Sequence, residues 1–137
     1  MIIVVDTNVI ISGLLKSFSD SSVILNFVLS GKIKLAYDMR ILKEYEEVLR
    51  RKKFGINSQY IESIITQIKE EGTYVNAIPL KEPLPDKDDE PFLAVAYAGG
   101  IEVILTGNKK HFPEKICKNI HILSPSEFLK NYSFNIH

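Results

Sequence analysis

The feature that most constrains this chain is an unbroken apolar run, Ile2-Ile3-Val4-Val5, that stops at Asp6-Thr7-Asn8. β-Branched residues without polar alternation read as a strand covered on both faces, the central type in a parallel sheet. Such a strand must be followed by a crossover, usually helical, before the chain can pair parallel to it again. The sequence then repeats that grammar to its end, with no internal repeat and no low-complexity tract. Asp6, Thr7 or Asn8 caps a helix carrying Val9, Ile10, Leu14 and Leu15. A Ser-rich loop, residues 17–22, leads to a second helix with Val23, Ile24, Phe27 and Val28 inward, closed by Gly31. Lys34 to Tyr37 reads as a second strand, and Asp38 caps a third helix with a stripe of Ile41, Leu42, Tyr45, Val48 and Leu49.

That third helix is expected to end in a basic run, Arg50-Arg51-Lys52-Lys53, whose charge suits the negative end of the macrodipole. A fourth helix carries Ile61, Ile64, Ile65 and Ile68 and closes at Gly72. Residues 73–78 read as a third strand, and three prolines between Pro79 and Pro85 make an extended loop. Pro91 opens a helix with Phe92, Leu93, Val95, Ala96 and Tyr97, ended by Gly99-Gly100. Residues 102–105 and 120–123 supply two further strands, with a short helical turn expected over 109–112. Ser124-Pro125-Ser126-Glu127 is a capping box for a last helix reaching Tyr132. The tail from Ser133 is expected to fray or to pack on a partner. Strands alternating with helices predict one α/β domain over residues 1–137, a three-layer α/β/α sandwich around a parallel sheet of about five strands.

Bulk properties narrow the function classes. Lys+Arg and Asp+Glu both number 17, which weakens binding of nucleic acid through bulk charge and leaves a local basic patch as the alternative. Cys117 is the only cysteine, so neither an internal disulfide nor a paired-cysteine metal site can form. With no signal-like segment and no apolar stretch of the ~20 residues that span a bilayer, a cytoplasmic protein without a membrane segment is expected.

In a parallel sheet the carboxyl ends of the strands share one edge, so the residues just past each strand become neighbours. Those positions hold Asp6; Asp38 with Glu44 further along its helix; Asp86, Asp88, Asp89 and Glu90; and Thr106 with Asn108. No glycine-rich phosphate cradle and no Ser-His or Cys-His pair stands at these corners. Crowded carboxylates repel one another and need a cation to remain ionised together. An all-oxygen set suits Mg²⁺ or Mn²⁺, and two such ions can drive phosphodiester hydrolysis. Taken alone, Asp6 is better explained as a helix cap, and Glu44 also reads as a solvated charge paired with Lys43 or Arg51.

Three segments, VVDTNVIISGLL, ILKEYEEVLRRKKF and DKDDEPFLAVAYAGGIEVILTGNKKHF, in this order resemble the PIN-domain family over nearly the whole chain. The branch most resembled is the ribonuclease toxins of prokaryotic toxin–antitoxin pairs. The resemblance implies a Mg²⁺- or Mn²⁺-dependent endoribonuclease in which water activated at the metal hydrolyses RNA. It matches Asp6, Glu44 and Asp89 to the catalytic, metal-holding acids, with Asp86 and Glu90 as rivals for the third place. Thr7, Asn8, Thr106 and Asn108 are implied as supporting residues. It also implies a cognate antitoxin and a homodimer, for which the Ile-rich fourth helix is one surface, unless the protein's own core covers it. One departure stands out: many relatives carry Thr-Gly-Asp where this chain has Thr106-Gly107-Asn108. An amide adds no negative charge to a metal, though it can orient a water or bind phosphate.

Lys109 and Lys110, just past the site edge, and Arg50 and Arg51 are the candidate RNA contacts, weighed against solvated charge. His111 is a weak candidate for acid or ligand while it has no identified partner. Tyr37, Tyr45, Phe92 and Tyr97 fit the core, and Cys117 reads as an inert buried residue. Two other functions compete with the nuclease. One is a PIN-like RNA-binding or regulatory module weakened by Asn108. The other is a phosphatase or phosphotransferase with Asp6 as nucleophile, for which Asn8 stands where a second acid is wanted.

Overall fold

A computed structural model describes residues 1–132; the expectation for the tail from Ser133, and His137 with it, lies outside those residues. Five strands, β1 (Ile2–Val5), β2 (Lys34–Tyr37), β3 (Thr73–Tyr74), β4 (Val103–Leu105) and β5 (His121–Leu123), form one sheet in the order β3-β2-β1-β4-β5. Every pairing is parallel, with Ile3 opposite Leu35 on one side of β1 and Val5 opposite Leu105 on the other. Ile3, Val4 and Val5 are fully buried, as an apolar run at the sheet centre requires.

Six helices connect and cover the strands: α1 (Thr7–Leu15), α2 (Asp20–Leu29), α3 (Met39–Leu49), α4 (Ser58–Glu71), α5 (Glu90–Ala98) and α6 (Pro125–Asn131). From β1 to β2 to β3 the chain steps one way along the sheet; from β3 to β4 it returns across it. Right-handed crossovers therefore put α5 on the opposite face from α1, α2 and α4, which gives the three-layer α/β/α sandwich. The same reversal makes the gap between β1 and β4 a topological switch point, where the loops leaving the two strands diverge and open a crevice.

Local rules account for most of the helix ends. Ser19, Asp38, Asn57 and Ser124 each accept a backbone N–H from the first turn of the helix they cap. Gly31 follows α2 at φ +80°, the left-handed conformation in which a glycine costs least. Gly72 ends α4 for a different reason: a Cβ there would lie 2.4 Å from the Ile68 carbonyl and 2.5 Å from that of Leu35. Helix α4 thus meets β2 backbone to backbone at this point.

The structure corrects several local expectations. β3 covers Thr73–Tyr74 and not residues 73–78. β2 turns into α3 at Asp38, so after the Val75 N–H reaches the Tyr37 carbonyl at 2.8 Å there is no backbone left to pair with. The basic run is not the last turn of α3, which stops at Leu49; Lys52–Phe54 is a separate 3-10 turn. Ile61, Ile64, Ile65 and Ile68 are all buried in this chain's own core, so the α4 stripe is not a free dimer surface. Tyr97 is 43% exposed and leaves the core, its hydroxyl donating to the Ile116 carbonyl at 2.6 Å. Tyr37, Tyr45, Phe92 and Cys117 are buried. Among the described residues no helix is long and apolar enough to cross a membrane.

Candidate metal centre

Asp6 stands where β1 becomes α1. Its backbone holds the N-cap conformation, φ −64° and ψ 145°, yet its side chain makes no capping hydrogen bond. The side chain is turned instead toward β4: Thr106, the residue after that strand, donates its hydroxyl to Asp6 Oδ2 at 2.8 Å. The Asp6 N–H also reaches the Leu105 carbonyl at 2.8 Å. Two strands a hundred positions apart in the chain therefore fix one carboxylate at the switch point.

Glu44 arrives from α3 beside the buried stripe of Ile41, Tyr45 and Val48. Tyr45 anchors that helix to the centre of the sheet, its hydroxyl donating to the Val5 carbonyl next to Asp6. Thr7 donates its hydroxyl to Glu44 Oε2 and so sets the carboxylate's orientation. Asp89 comes from the opposite side, at the end of a 3-10 turn, Lys87–Asp89, that runs into α5. Asp86 shapes that turn by accepting the Asp88 N–H at 2.9 Å. Asp6, Glu44 and Asp89 line one cleft of about 430 Å³, together with Thr7, Asn8, Lys16 and Arg51.

The electrostatics follow from crowding and burial. Burial raises the Asp6 carboxyl above its ordinary value, against the pull of Thr106 and the N–H groups of Thr7 and Asn8. Burial also raises Glu44, which Thr7 opposes and the charge on Asp6 reinforces. Asp89 is pushed up to about 6, first by burial and then by repulsion from Asp6, with His111 pulling the other way. Three carboxylates held away from water, two of them repelled by Asp6, are a set that a cation would relieve. Asp89 Oδ2 is also buried with no hydrogen-bond partner. The ligand atoms of Asp86, Asp89 and His111 fall within 4.8 Å of one another. That group mixes two carboxylate oxygens with an imidazole nitrogen, and Asp6 and Glu44 add oxygen donors along the same cleft, a set that fits a divalent metal such as Mg²⁺ or Mn²⁺.

Other sequence candidates fall elsewhere. Asp38 caps α3, accepting the Ile41 N–H at 3.0 Å, and pairs with Arg40 at 2.8 Å. Glu90 Oε2 accepts the Leu84 N–H at 3.1 Å and ties down the proline-rich loop. Asn8 Oδ1 takes the Gly107 N–H at 3.2 Å, stitching the α1 start to the loop after β4. Arg50 is spent on Glu46 at 3.0 Å and Ser58 at 2.9 Å, whereas Arg51 lines the cleft. Lys109 pairs with Glu127 at 3.0 Å, and Lys110 is exposed outside the acidic cleft.

Lys16 escaped the sequence, and His111 was a candidate without a partner. Lys16 lines the cleft because Asn8, Ser12 and Lys16 recur every four residues and share one face of α1; that spacing was readable. His111 has the partners that sequence alone did not supply: its Nδ1 lies 2.8 Å from Asp89 Oδ2 and its Nε2 2.9 Å from the Asn108 side-chain amide. Nothing in the spacing of residues 89 and 111 signals that contact.

A doubly wound parallel sheet with an acidic, cation-type cleft at its switch point defines the class. Within that class, a family model described as a PIN domain matches residues 2–110. The chain belongs to the PIN-domain family, whose members are generally nucleases that bind divalent metals. No curated protein matches the chain.

Proposed function

We propose that the protein is a divalent-metal-dependent endoribonuclease and the toxin of a toxin–antitoxin pair. The observation that carries the nuclease reading is the meeting of Asp6, Glu44 and Asp89 in one cleft of a PIN-domain chain. Mg²⁺ or Mn²⁺ held by these three acids would supply charge neutralisation and activation of water. The protein's own groups do the rest. Thr106 and Thr7 lock Asp6 and Glu44 in place, so no reorganisation is needed when substrate binds. Glu44, half-exposed, is the acid open to take a proton from the attacking water. Arg51 and Lys16 at the cleft attract a phosphodiester backbone, and Asn108 reaches the Asp89 corner through His111, which its side chain meets at 2.9 Å. The antitoxin, the homodimer and the cytoplasmic location belong to the same reading and rest on the resemblance to family toxins.

The test is cleavage of a mixed RNA pool with Mn²⁺, with EDTA, and with Asp6→Asn. Cleavage should require the metal and fall at least ~100-fold in the variant, by analogy with removal of one preorganised electrostatic group. Circular dichroism should show an unchanged fold. Full activity in Asp6→Asn would overturn the reading. A non-catalytic RNA-binding module is the second reading, favoured by Asn108 at the fourth corner. It predicts RNA binding without cleavage under every metal condition.

A further inference from the structure

The fourth corner of the cleft is built unlike the other three. Asn108 follows Thr106, and its backbone N–H donates back to the Thr106 hydroxyl at 3.0 Å, which holds the loop. Its side chain meets His111 at 2.9 Å, and on the other side of the ring His111 Nδ1 meets Asp89 Oδ2 at 2.8 Å. Asp89 is only 8% exposed, and its Oδ2 has no donor aligned on it despite that short approach. A structural Asp–His pair would place the ring N–H on the oxygen. At 2.8 Å with poor alignment, the ring nitrogen and the carboxylate oxygen can share either a ring proton or a cation. Adjacent ligands of one ion at ~2.1 Å sit about 3 Å apart, close to the spacing seen. Asp86 completes the group: one of its carboxylate oxygens lies within 4.8 Å of the other two ligand atoms, and its Oδ1 also accepts the Asp88 N–H.

We propose that His111 is a cation ligand through Nδ1, alongside Asp86 and Asp89, and that Asn108 orients it by accepting the Nε2–H. As placed, Asn108 Nδ2 faces Nε2; a half-turn of the amide, which exchanges its oxygen and nitrogen, brings the oxygen there to accept the Nε2–H. A ligating imidazole characteristically donates its other N–H to an oxygen acceptor that fixes its plane. Asn108, which adds no charge as a ligand, has a place in the site as that acceptor. An imidazole donor favours Mn²⁺ and later transition ions over Mg²⁺, which prefers carboxylate and water. The inference rests on the cleft being a cation site and gives it a metal preference: Mn²⁺ over Mg²⁺.

The test uses the full chain, stripped with chelator and loaded with one equivalent of Mn²⁺, with no RNA present. Pulsed electron paramagnetic resonance should show nitrogen coupling from one imidazole on the bound Mn²⁺. His111→Gln should abolish the coupling and weaken Mn²⁺ binding by roughly 10–100-fold, while Mg²⁺ binding changes far less. His121→Gln, on exposed β5, should keep the coupling. Should His111→Gln fail to fold, coupling that persists in the His121→Gln, His137→Gln double variant still assigns it to His111, and its loss there overturns the proposal. Mn²⁺ bound without nitrogen coupling, coupling that survives His111→Gln, or no Mn²⁺ binding at all would overturn the proposal. Nitrogen coupling in a protein that cleaves no RNA would sustain this inference while the nuclease reading fails. RNA cleavage without nitrogen coupling would do the reverse.

Discussion

Asp89→Asn should make the metal-free protein more stable at neutral pH. The folded chain holds the Asp89 proton up to a pH of about 6, whereas an ordinary Asp releases it at 3.8. Between those values the folded state binds more protons than the unfolded state, so stability falls as pH rises and stays lower above 6. The shift of roughly 2 pH units corresponds to about 3 kcal/mol at 1.36 kcal/mol per unit. An amide escapes that cost but forfeits the favourable charge at the start of α5, worth about 0.3–1 kcal/mol. A net gain of about 2 kcal/mol remains at pH 7.5. With an unfolding entropy of ~2 cal/mol/K per residue, that is about 7 °C in melting temperature for a chain of 137 residues. Thermal melts in EDTA at pH 4 and pH 7.5 measure it. The two proteins should melt together at pH 4, where Asp89 is largely protonated in the wild type. Glu127, lowered to about 2 by the Ser124 backbone N–H and Lys109, contributes stability above its unfolded value that is lost as pH falls toward 2, a separate window. Saturating Mn²⁺ should erase the variant's advantage, because bound cation stabilises the wild type by ~2.7 kcal/mol at a hundredfold excess over Kd. A variant no more stable than wild type in EDTA at pH 7.5 would refute the crowding account of this cleft.

Three further outcomes test the parts that hold the site. Thr106→Val keeps the shape of a fully buried side chain but leaves Asp6 Oδ2 without its donor. Urea titration in EDTA should show a loss of about 1–3 kcal/mol, and metal-dependent cleavage should drop alongside it. Tyr45→Phe removes the hydroxyl that ties α3 to the Val5 carbonyl and should cost about 1–2 kcal/mol in the same assay. Gly72→Ala drives a methyl against two carbonyl oxygens at 2.4 and 2.5 Å, so a loss above ~2 kcal/mol is expected. A neutral result there would show that α4 can lift off β2 freely.

Much of this was legible because the signals are local. The Ile2–Val5 run, the Ser124 capping box, the Asp38 cap and the Gly31 stop each act within a turn or two of chain, where sequence and conformation are directly coupled. The alternation of strands and helices then fixed the sheet as parallel, and a parallel sheet gathers its carboxyl ends whatever the details. That is why Asp6, Glu44 and Asp89 fall among the acids expected at one sheet edge, while the choice of these three rests on the resemblance to the PIN-domain family.

What the sequence alone determined is therefore the α/β class, the family and the set of acids. Which acids face the cleft was decided by tertiary contacts. Asp38 and Glu90 carry the same chemistry as Asp6 and Asp89, yet local backbone N–H groups claim them. Asp6 turns toward β4, where Thr106, a hundred residues on, donates its hydroxyl to it. His111 joins Asp89 because the turn after β4 folds back over the start of α5. These outcomes depend on competition between donors brought together by the sheet order, and no spacing along the chain encodes which donor wins.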